Sequence, residues 1–245
     1  MRLFGLIGYP LGHSFSKNYF TKKFEEEDIV GCRYELFPIT AITDLPGLLK
    51  ANPGLEGLNI TIPYKKDVLS FLAENRIPQG LDACNCISIK NGNLTGYNTD
   101  VVGFEKSFLA QWKSQHKKAL VLGAGGAAAA VVFVLKKLGI AYKVVGRNIK
   151  PGIDLTYDAV SSQLVQDHSV IINTTPLGTY PKVDECPFLP YDAISDQHYL
   201  FDLVYNPAKT LFLKKGEERG AIIQNGYDML VYQAEEAWRI WNMPI

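Results

Sequence analysis

Cysteine is scarce in this chain of 245 residues, which contains only Cys32, Cys84, Cys86 and Cys186. Their spacing includes no pair of C-x-x-C motifs, so we do not expect a structural zinc site. Cys84 and Cys86 flank a single residue and could hold a metal together, but four free thiols are the simpler expectation in a reducing cytoplasm.

An excess of charge of either sign is also missing. The 25 lysine and arginine residues balance the 25 aspartate and glutamate residues. Without a net field the chain has no general attraction for nucleic acid or for an anionic membrane, so we expect small molecules as its partners. The N-terminal segment lacks the apolar core and small-residue cleavage site of a signal peptide, and this favours a cytoplasmic location.

Apolar runs long enough to cross a membrane are absent as well. The uncharged run 119–135 has 17 residues, fewer than the ~20 that span a bilayer, and it contains three glycines that indicate a turn. We therefore exclude a membrane span. Repeats and low-complexity tracts are also absent, and the length suits one large domain or two smaller ones.

Strand-like and helix-like runs alternate along the whole chain, which is typical of an α/β protein with a largely parallel sheet. The predicted strands are 3–8, 33–38, 57–61, 85–89, 118–123, 142–145, 169–173, 199–204 and 221–224. The predicted helices are 16–26, 44–51, 65–72, 100–112, 127–138, 211–218 and 227–241.

The two alternating blocks meet near Asp100, which predicts two domains. We assign residues 1–100 and 226–245 to an N-terminal mixed α/β domain, and residues 101–225 to a Rossmann-like domain. The last helix carries apolar residues that would let it pack back on the first domain. These are Leu230, Ala234, Ala237, Trp238 and Trp241.

Residues 119–144 have the pattern of a strand, a glycine turn, a helix and a second strand, which is typical of a dinucleotide site. Gly123 would allow the tight turn, Gly125 would let the backbone approach a pyrophosphate, and Ala128 would let the helix pack closely on the sheet. The helix N-terminus would then attract the phosphates. A turn of this kind could instead bind FAD or S-adenosylmethionine, or serve only as a tight packing corner.

The end of the second strand indicates which nucleotide binds. An acidic residue there would bind the ribose 2′-hydroxyl of NAD, but this chain has Gly146, Arg147 and Asn148. A guanidinium suits a 2′-phosphate, so we predict NADP. The interval from this strand to the strand at 169–173 holds one crossover comfortably, so the domain is expected to be trimmed by a strand and a helix.

Short polar clusters follow the apolar strands of the first half, where the carboxyl ends of strands in a parallel sheet form a ligand crevice. Lys65 and Asp100 could form a proton-transfer pair within it. Each cluster also has a structural explanation: Ser14, Ser16 and Asp100 could cap helices, and Asn59 and Thr61 could be half-exposed strand residues.

Eight motifs stand in an order that resembles the shikimate dehydrogenase family over essentially the whole chain. They are G-x-P-x-x-H-S-x-S at 8–16, N-x-T-x-P-x-K at 59–65, an asparagine at 85, N-T-D at 98–100, G-A-G-G-A-A at 123–128, N-T-T-P-x-G at 173–178, D-x-x-Y-x-P-x-x-T at 202–210, and G-x-x-M-L-x-x-Q at 226–233. The resemblance implies NADPH-dependent, reversible reduction of 3-dehydroshikimate to shikimate in the pathway to chorismate and the aromatic amino acids.

The resemblance also implies a role for each matching residue. Lys65 would act as the general acid toward the C3 carbonyl oxygen, and Asp100 would orient it. The substrate-binding residues would be Ser14, Ser16, Asn59, Thr61, Asn85, Tyr205 and Gln233. The cofactor-binding residues would be Gly123, Ala124, Gly125, Gly126, Ala127, Arg147, Asn148, Thr174 and Gly226.

Three departures from the family pattern stand out. Gly146 replaces the usual asparagine of an N-R-T motif, Asn148 replaces its threonine, and Val101 replaces a glycine after Asp100. Lys150 could compensate as a second cation for the 2′-phosphate. No metal site is implied, and the chain is expected to be a monomer or a homodimer.

Three alternatives remain open at this point. A quinate or quinate/shikimate dehydrogenase using NAD is the nearest, although Arg147 weighs against it. A non-catalytic metabolite sensor is the second, although Lys65 and Asp100 are both present. A methylene-tetrahydrofolate dehydrogenase shares the two-domain plan, but Ser14 and Ser16 suit a carboxylate better than a pterin.

Overall fold

The computed structural model describes residues 1–12 and 14–244, so His13 of the first motif lies outside the described residues. The chain forms two compact units. The first comprises Met1–Val102 and the chain from Gln233 onward, and the second comprises Gly103–Tyr232. The divisions fall inside two helices, a few residues from the boundaries predicted at 100 and 226.

The first unit contains a six-stranded mixed sheet. Its elements are β1 (Arg2–Gly8), α1 (Phe15–Glu26), β2 (Cys32–Pro38), α2 (Leu45–Ala51), β3 (Leu55–Ile60), β4 (Glu74–Asn75), β5 (Cys86–Lys90) and β6 (Asn93–Tyr97). The strand order is β2-β1-β3-β5-β6-β4, with β5 antiparallel to both of its neighbours. The expected largely parallel arrangement therefore does not extend to β5. The helix predicted at 65–72 is a short 3-10 helix, Asp67–Phe71.

Helix α3 (Asp100–Leu109) leads into the second unit. The remaining elements are β7 (Lys118–Leu122), α4 (Gly126–Lys137), β8 (Ala141–Gly146), β9 (Leu155–Thr156), α5 (Ser162–Asp167), β10 (Val170–Asn173), β11 (Tyr199–Asp202), α6 (Leu211–Glu217), β12 (Ile222–Gln224) and α7 (Tyr227–Trp241). The six strands of this unit pair in the order β12-β11-β10-β7-β8-β9, and every pair is parallel. This is the doubly wound arrangement of a Rossmann-like domain, so the predicted fold class is confirmed.

The predicted trimming of the second unit is only partly seen. Residues 147–154 join β8 to β9 without a helix, but β9 survives as two residues. A helix is therefore missing, as expected, while the strand is shortened rather than lost. After β9 the chain forms a 3-10 turn at Tyr157–Ala159, which is followed by α5.

The predicted return of α7 to the first domain is seen in the packing of its second half. Ala234, Ala237 and Trp241 lie in one hydrophobic cluster with Phe4 and Phe20. A Cβ added at Gly57 of β3 would stand 2.3 Å from Trp241 Nε1, and that nitrogen donates to the Ile87 carbonyl at 2.9 Å. Glycine at position 57 is therefore required by the close approach of the indole.

Across the described residues, no helix combines the length and apolar character needed to cross a membrane. Within the same part of the chain, no group of three or more histidine, cysteine or acidic side chains is arranged to hold a metal ion. All four cysteines are free.

Candidate functional site

Lys65 and Asp100 meet in the first unit, as the sequence predicts. Lys65 Nζ donates to Asp100 Oδ2 at 2.7 Å, and the two side chains are only 23% and 14% exposed. Lys65 lies in the turn after β3, where its carbonyl accepts from the Cys84 backbone N–H at 2.7 Å. Asp100 is the first residue of α3. The pair is thus sheltered but still within reach of solvent.

The other carboxylate oxygen of Asp100 is occupied by Asn85. Asn85 Nδ2 donates to Asp100 Oδ1 at 2.8 Å and to Thr99 Oγ1 at 3.0 Å, while Asn85 Oδ1 accepts from the Thr99 backbone N–H at 2.6 Å. Asn98, the first residue of the N-T-D motif, accepts from the Val101 backbone N–H and donates to the Ala83 carbonyl. Asn98 and Thr99 of the motif therefore help to position Asp100, the third residue.

Gln233 and Asn59 continue this network. Thr99 Oγ1 donates to Gln233 Oε1 at 3.4 Å, and Asn59 Nδ2 approaches the Asn85 carbonyl at 3.4 Å. Asn59 Oδ1 accepts from the Tyr34 hydroxyl at 2.8 Å. Thr61 lies directly after β3, with its backbone N–H bonded to the Ile7 carbonyl.

The two predicted serines stand at the start of α1. Ser14 is the N-cap of that helix, and its Oγ accepts from the Lys17 backbone N–H at 3.2 Å. The capping explanation thus holds for Ser14. Ser16 lies in the first turn, and its side chain interacts with Tyr34, whose pKa it lowers. Tyr205 belongs to the second unit and is 37% exposed.

The second unit contains a cavity of about 510 Å³ at the carboxyl ends of β7, β8 and β10. Six predicted cofactor residues line it: Gly123, Ala124, Gly125, Arg147, Asn148 and Thr174. Gly123 has φ +104°, a backbone conformation that favours glycine. Gly126 and Ala127 form the first turn of α4 and do not line this cavity.

Gly226 is also absent from the residues that line the cavity. Close packing explains why a glycine occupies this position. A Cβ at that position would stand 2.1 Å from the Leu203 carbonyl oxygen. A backbone approach this close excludes any larger residue.

The cavity fits a dinucleotide that carries a phosphate in addition to its pyrophosphate. A Cβ added to Gly125 meets no atom within 4 Å, so the backbone at the start of α4 faces open space. Arg147 and Lys150 supply two cations to the same cavity. The Tyr157 hydroxyl is buried and has no hydrogen-bond partner in the part of the chain that the structure describes, although its side chain lines the cavity. A helix N-terminus with two nearby cations suits phosphate groups.

Comparison with known proteins identifies relatives over nearly the whole length. The chain is 34% identical to the shikimate dehydrogenase (NADP(+)) of Halothermothrix orenii, and the match covers 97% of this chain and 90% of that protein. The chain belongs to the shikimate dehydrogenase family. The resemblance inferred from the motifs is thereby confirmed.

Two further comparisons agree with membership of the shikimate dehydrogenase family. Residues 6–87 match the family model of the shikimate dehydrogenase substrate binding domain. The structure also resembles the Thermus thermophilus enzyme, solved in complex with NADP(H) and shikimate, with a TM-score of 0.86 and 30% identity over 99% of this chain and 94% of that chain.

Quinate dehydrogenase from Corynebacterium glutamicum, solved in complex with NAD, is similar to this chain as well. Its TM-score is 0.86 at 26% identity, and the match covers 98% of this chain and 93% of that chain. The backbone of this chain is equally similar to a shikimate dehydrogenase and to a quinate dehydrogenase. Differences in side chains must therefore determine which of the two activities a family member has.

Motif reasoning missed several residues of this family member. In the sequence Tyr34 stands out only as part of an apolar strand, because its hydroxyl role depends on strands that are distant in sequence. Ile153 and Tyr157 line the cofactor cavity from a segment with no clear periodicity. Their closeness to a shortened crossover is the one sequence signal that could have marked them.

Asp202 belongs to one of the eight motifs, which by itself assigns it no role. It is completely buried, and its carboxylate accepts from Asn173 Nδ2 at 2.9 Å, the Val204 backbone N–H at 3.0 Å and Thr210 Oγ1 at 2.6 Å. Burial raises its pKa to about 6 despite these donors. Asn173 in turn holds Thr175 beside the cavity, so Asp202 supports the cavity wall from within.

Proposed function

We propose that this protein catalyses the reversible, NADPH-dependent reduction of 3-dehydroshikimate to shikimate in the pathway to chorismate. The observation that carries the proposal is the Lys65–Asp100 pair, sheltered and joined to a chain of amide and hydroxyl groups. The first unit would bind the substrate, and the second unit would bind the cofactor.

Lys65 would carry the proton that the reaction consumes or releases. Its ammonium group can donate to a carbonyl oxygen during reduction and recover a proton from solvent afterwards. NADPH, when bound, supplies the hydride. Asp100 holds the ammonium group in place through a bond of 2.7 Å, and this restricts Lys65 to one position.

The main role of Asn85 would be to position Asp100. Both ends of its amide are already bonded, to Thr99 and to Asp100. We therefore assign Asn85 to positioning the carboxylate. Ser14, Ser16, Asn59, Thr61 and Gln233 would supply the polar contacts that a hydroxylated ring acid requires, and Tyr205 stays a prediction from its motif alone.

Preference for NADP would rest on Arg147, Asn148 and Lys150. All three line the cavity where β8 ends, and none of the described residues that line it is acidic. The guanidinium and ammonium groups favour a 2′-phosphate, and a ribose hydroxyl alone gains little from them. The same feature weighs against an NAD-dependent quinate enzyme. A cytoplasmic location stays a prediction from the sequence.

The direct test follows reduced nicotinamide absorbance with shikimate or quinate and with NADP or NAD. Shikimate with NADP should give the fastest reduction. Preferred use of quinate with NAD would replace the proposal with the rival dehydrogenase. If folded protein reduces the cofactor with none of the four pairs, catalysis is refuted.

Adjacent lysines provide a matched test of the proton-transfer role. Lys65→Ala should lower kcat by about 10²- to 10⁴-fold, the usual contribution of general acid catalysis, while shikimate binding measured by calorimetry persists. Lys66→Ala is the control, because Lys66 pairs with Asp82 at an exposed position. Equal activity in the two variants would remove Lys65 from the mechanism.

The 2′-phosphate contact has its own test. Arg147→Ala should raise the KM for NADP by about 10- to 100-fold, as expected for loss of charge-assisted hydrogen bonds, and change the KM for NAD far less. Lys143→Ala removes an exposed cation from β8 outside the cavity and should leave both KM values unchanged. Equal effects of Arg147→Ala on the two cofactors would contradict the contact.

A further inference from the structure

Tyr34 reaches across the sheet of the first unit to the candidate substrate site. It lies on β2, at one end of the strand order, and pairs in register with Phe4 of β1. Asn59 of β3 pairs with Leu6, two residues further along β1 and on the same face. The phenol spans this offset, and its hydroxyl donates to Asn59 Oδ1 at 2.8 Å.

The ring of Tyr34 is held rigidly by packing. Its side chain is 3% exposed, and its ring stacks on Phe20 with centroids 4.8 Å apart and an interplanar angle of 13°. The ring centroid of Trp241 lies 6.3 Å from that of Tyr34. A phenylalanine would preserve these contacts, so packing alone does not account for the hydroxyl.

The hydroxyl interacts with two residues of the candidate substrate site. It donates its proton to Asn59, and the side chain of Ser16 interacts with the phenol and lowers its pKa. Burial raises the pKa of Tyr34 well above its ordinary value, so the phenol remains protonated and remains a donor to Asn59. Ser16 and Asn59 therefore share one fixed partner.

The bond from Tyr34 determines which end of the Asn59 amide is available. Oδ1 is occupied by the phenol, whereas Nδ2, among the residues that the structure describes, makes one long approach of 3.4 Å to the Asn85 carbonyl. Asn59 can thus offer N–H groups to a ligand, and a ligand oxygen that accepts hydrogen bonds is the complementary atom.

We propose that Tyr34 is a positioning residue for substrate recognition, which orients Ser16 and Asn59 through its hydroxyl without touching the substrate itself. The inference rests on the proposed function of the same site. Loss of the hydroxyl would free the Asn59 amide to rotate and would release Ser16, while Lys65 and Asp100 keep their own bond. Substrate binding should weaken more than turnover.

Tyr34→Phe is the test, with steady-state kinetics for both ligands. We expect the KM for shikimate to rise about 5- to 30-fold, the range for loss of one or two hydrogen bonds, with kcat and the KM for NADP close to wild type. An unchanged KM for shikimate would overturn the inference. So would a parallel loss in kcat and in both KM values, because that pattern indicates general damage to the fold.

Tyr64→Phe is the matched control. Tyr64 belongs to the same unit, is 4% exposed and donates its hydroxyl to the Ile39 carbonyl at 2.7 Å, away from Ser16 and Asn59. It should lower the melting temperature without raising the KM for shikimate. An equal rise in that KM would assign the Tyr34 effect to loss of any buried hydroxyl and overturn the inference.

A double-mutant cycle with Asn59→Ala separates positioning from packing. If Tyr34 acts through Asn59, Tyr34→Phe should raise the KM much less when Asn59 is already alanine. Full additivity would overturn the inference. If the wild-type protein does not turn over shikimate, the proposed function itself is overturned. If the wild-type protein turns over shikimate and Tyr34→Phe behaves like it, only the inference about Tyr34 is overturned.

Discussion

Adjacent residues of one chemical type serve different purposes in this chain, as Lys65 and Lys66 illustrate. Lys65 turns inward to Asp100, whereas Lys66 lies at the surface with Asp82 and is 64% exposed. An exposed pair of that kind contributes little to stability, since solvent screens it. The environment beyond the residue type therefore decides which lysine can perform chemistry.

The buried carboxyl of Asp202 predicts how the stability of the fold depends on pH. Its folded pKa of about 6 lies above the ordinary value for aspartate, so the native state gains a proton before the unfolded chain does as pH falls. Ionisation of Asp202 above pH 6 therefore costs stability, on the order of 3 kcal/mol for a shift of this size. This cost is relieved as pH falls from about 6 toward the ordinary aspartate pKa.

Asp202→Asn removes the titration while keeping the shape of the side chain. Urea unfolding at pH 4.5, 6 and 7.5 should show that the variant gains stability relative to wild type as pH rises, because only wild type must ionise a buried carboxyl. Taking the difference between the two proteins cancels the other titrating groups. A difference that stays constant across this range would contradict the assignment.

At the scale of elements, the crossover after β8 bears on Gly146, one of the departures from the family pattern. With no helix between β8 and β9, Ile153 folds back against Gly146, where an added Cβ would stand 2.3 Å from Ile153 Cδ1. The asparagine usual in the family does not fit this space. Gly146 therefore packs closely against Ile153 of the shortened segment.

Gly146→Ala should accordingly damage the cofactor cavity. Ile153 would have to move, and overpacking of this kind costs about 1–3 kcal/mol, so both stability and affinity for NADP should fall. The double variant Gly146→Ala, Ile153→Val returns space to the new methyl group and should recover part of both losses. Failure of the second change to restore either quantity would argue that the contact does not govern the cavity.

Elements with strong periodicity were predictable, and short polar ones were not. Strands such as β7 and β10 read clearly from buried apolar runs, whereas β4 and β9 have only two residues each. The missed β6 follows Asn91 and Gly92, both at positive φ, a turn pair that does favour a hairpin. Lys65, Asp100 and Asn85 were predictable from their motifs. Tyr34 was not, because its role depends on strand register.

At the scale of the whole molecule, the two units have separate sheets and cores. Phe4 and Trp241 belong to a cluster of the first unit, while Leu120 and Leu200 belong to a cluster of the second. A ligand that binds one native unit stabilises that unit against local opening. Each ligand should therefore protect its own sheet.

Amide hydrogen exchange tests this expectation. NADP at about 100 times its Kd should slow exchange in β7, β10 and β11, adding up to about 2.7 kcal/mol of protection, with a smaller effect on β1 and β3. Shikimate should do the reverse. Equal protection of both sheets by either ligand would show that the units unfold as one.

The packing of Trp241 beside Gly57 has a consequence for the order of folding during synthesis. The second unit is a continuous stretch, Gly103–Tyr232, and all of its strands have been synthesised before the indole that lies against β3 is added to the chain. The first unit can complete its core only when the chain from Gln233 onward emerges. Its early strands therefore stay partly uncovered until α7 has been made and has packed against them.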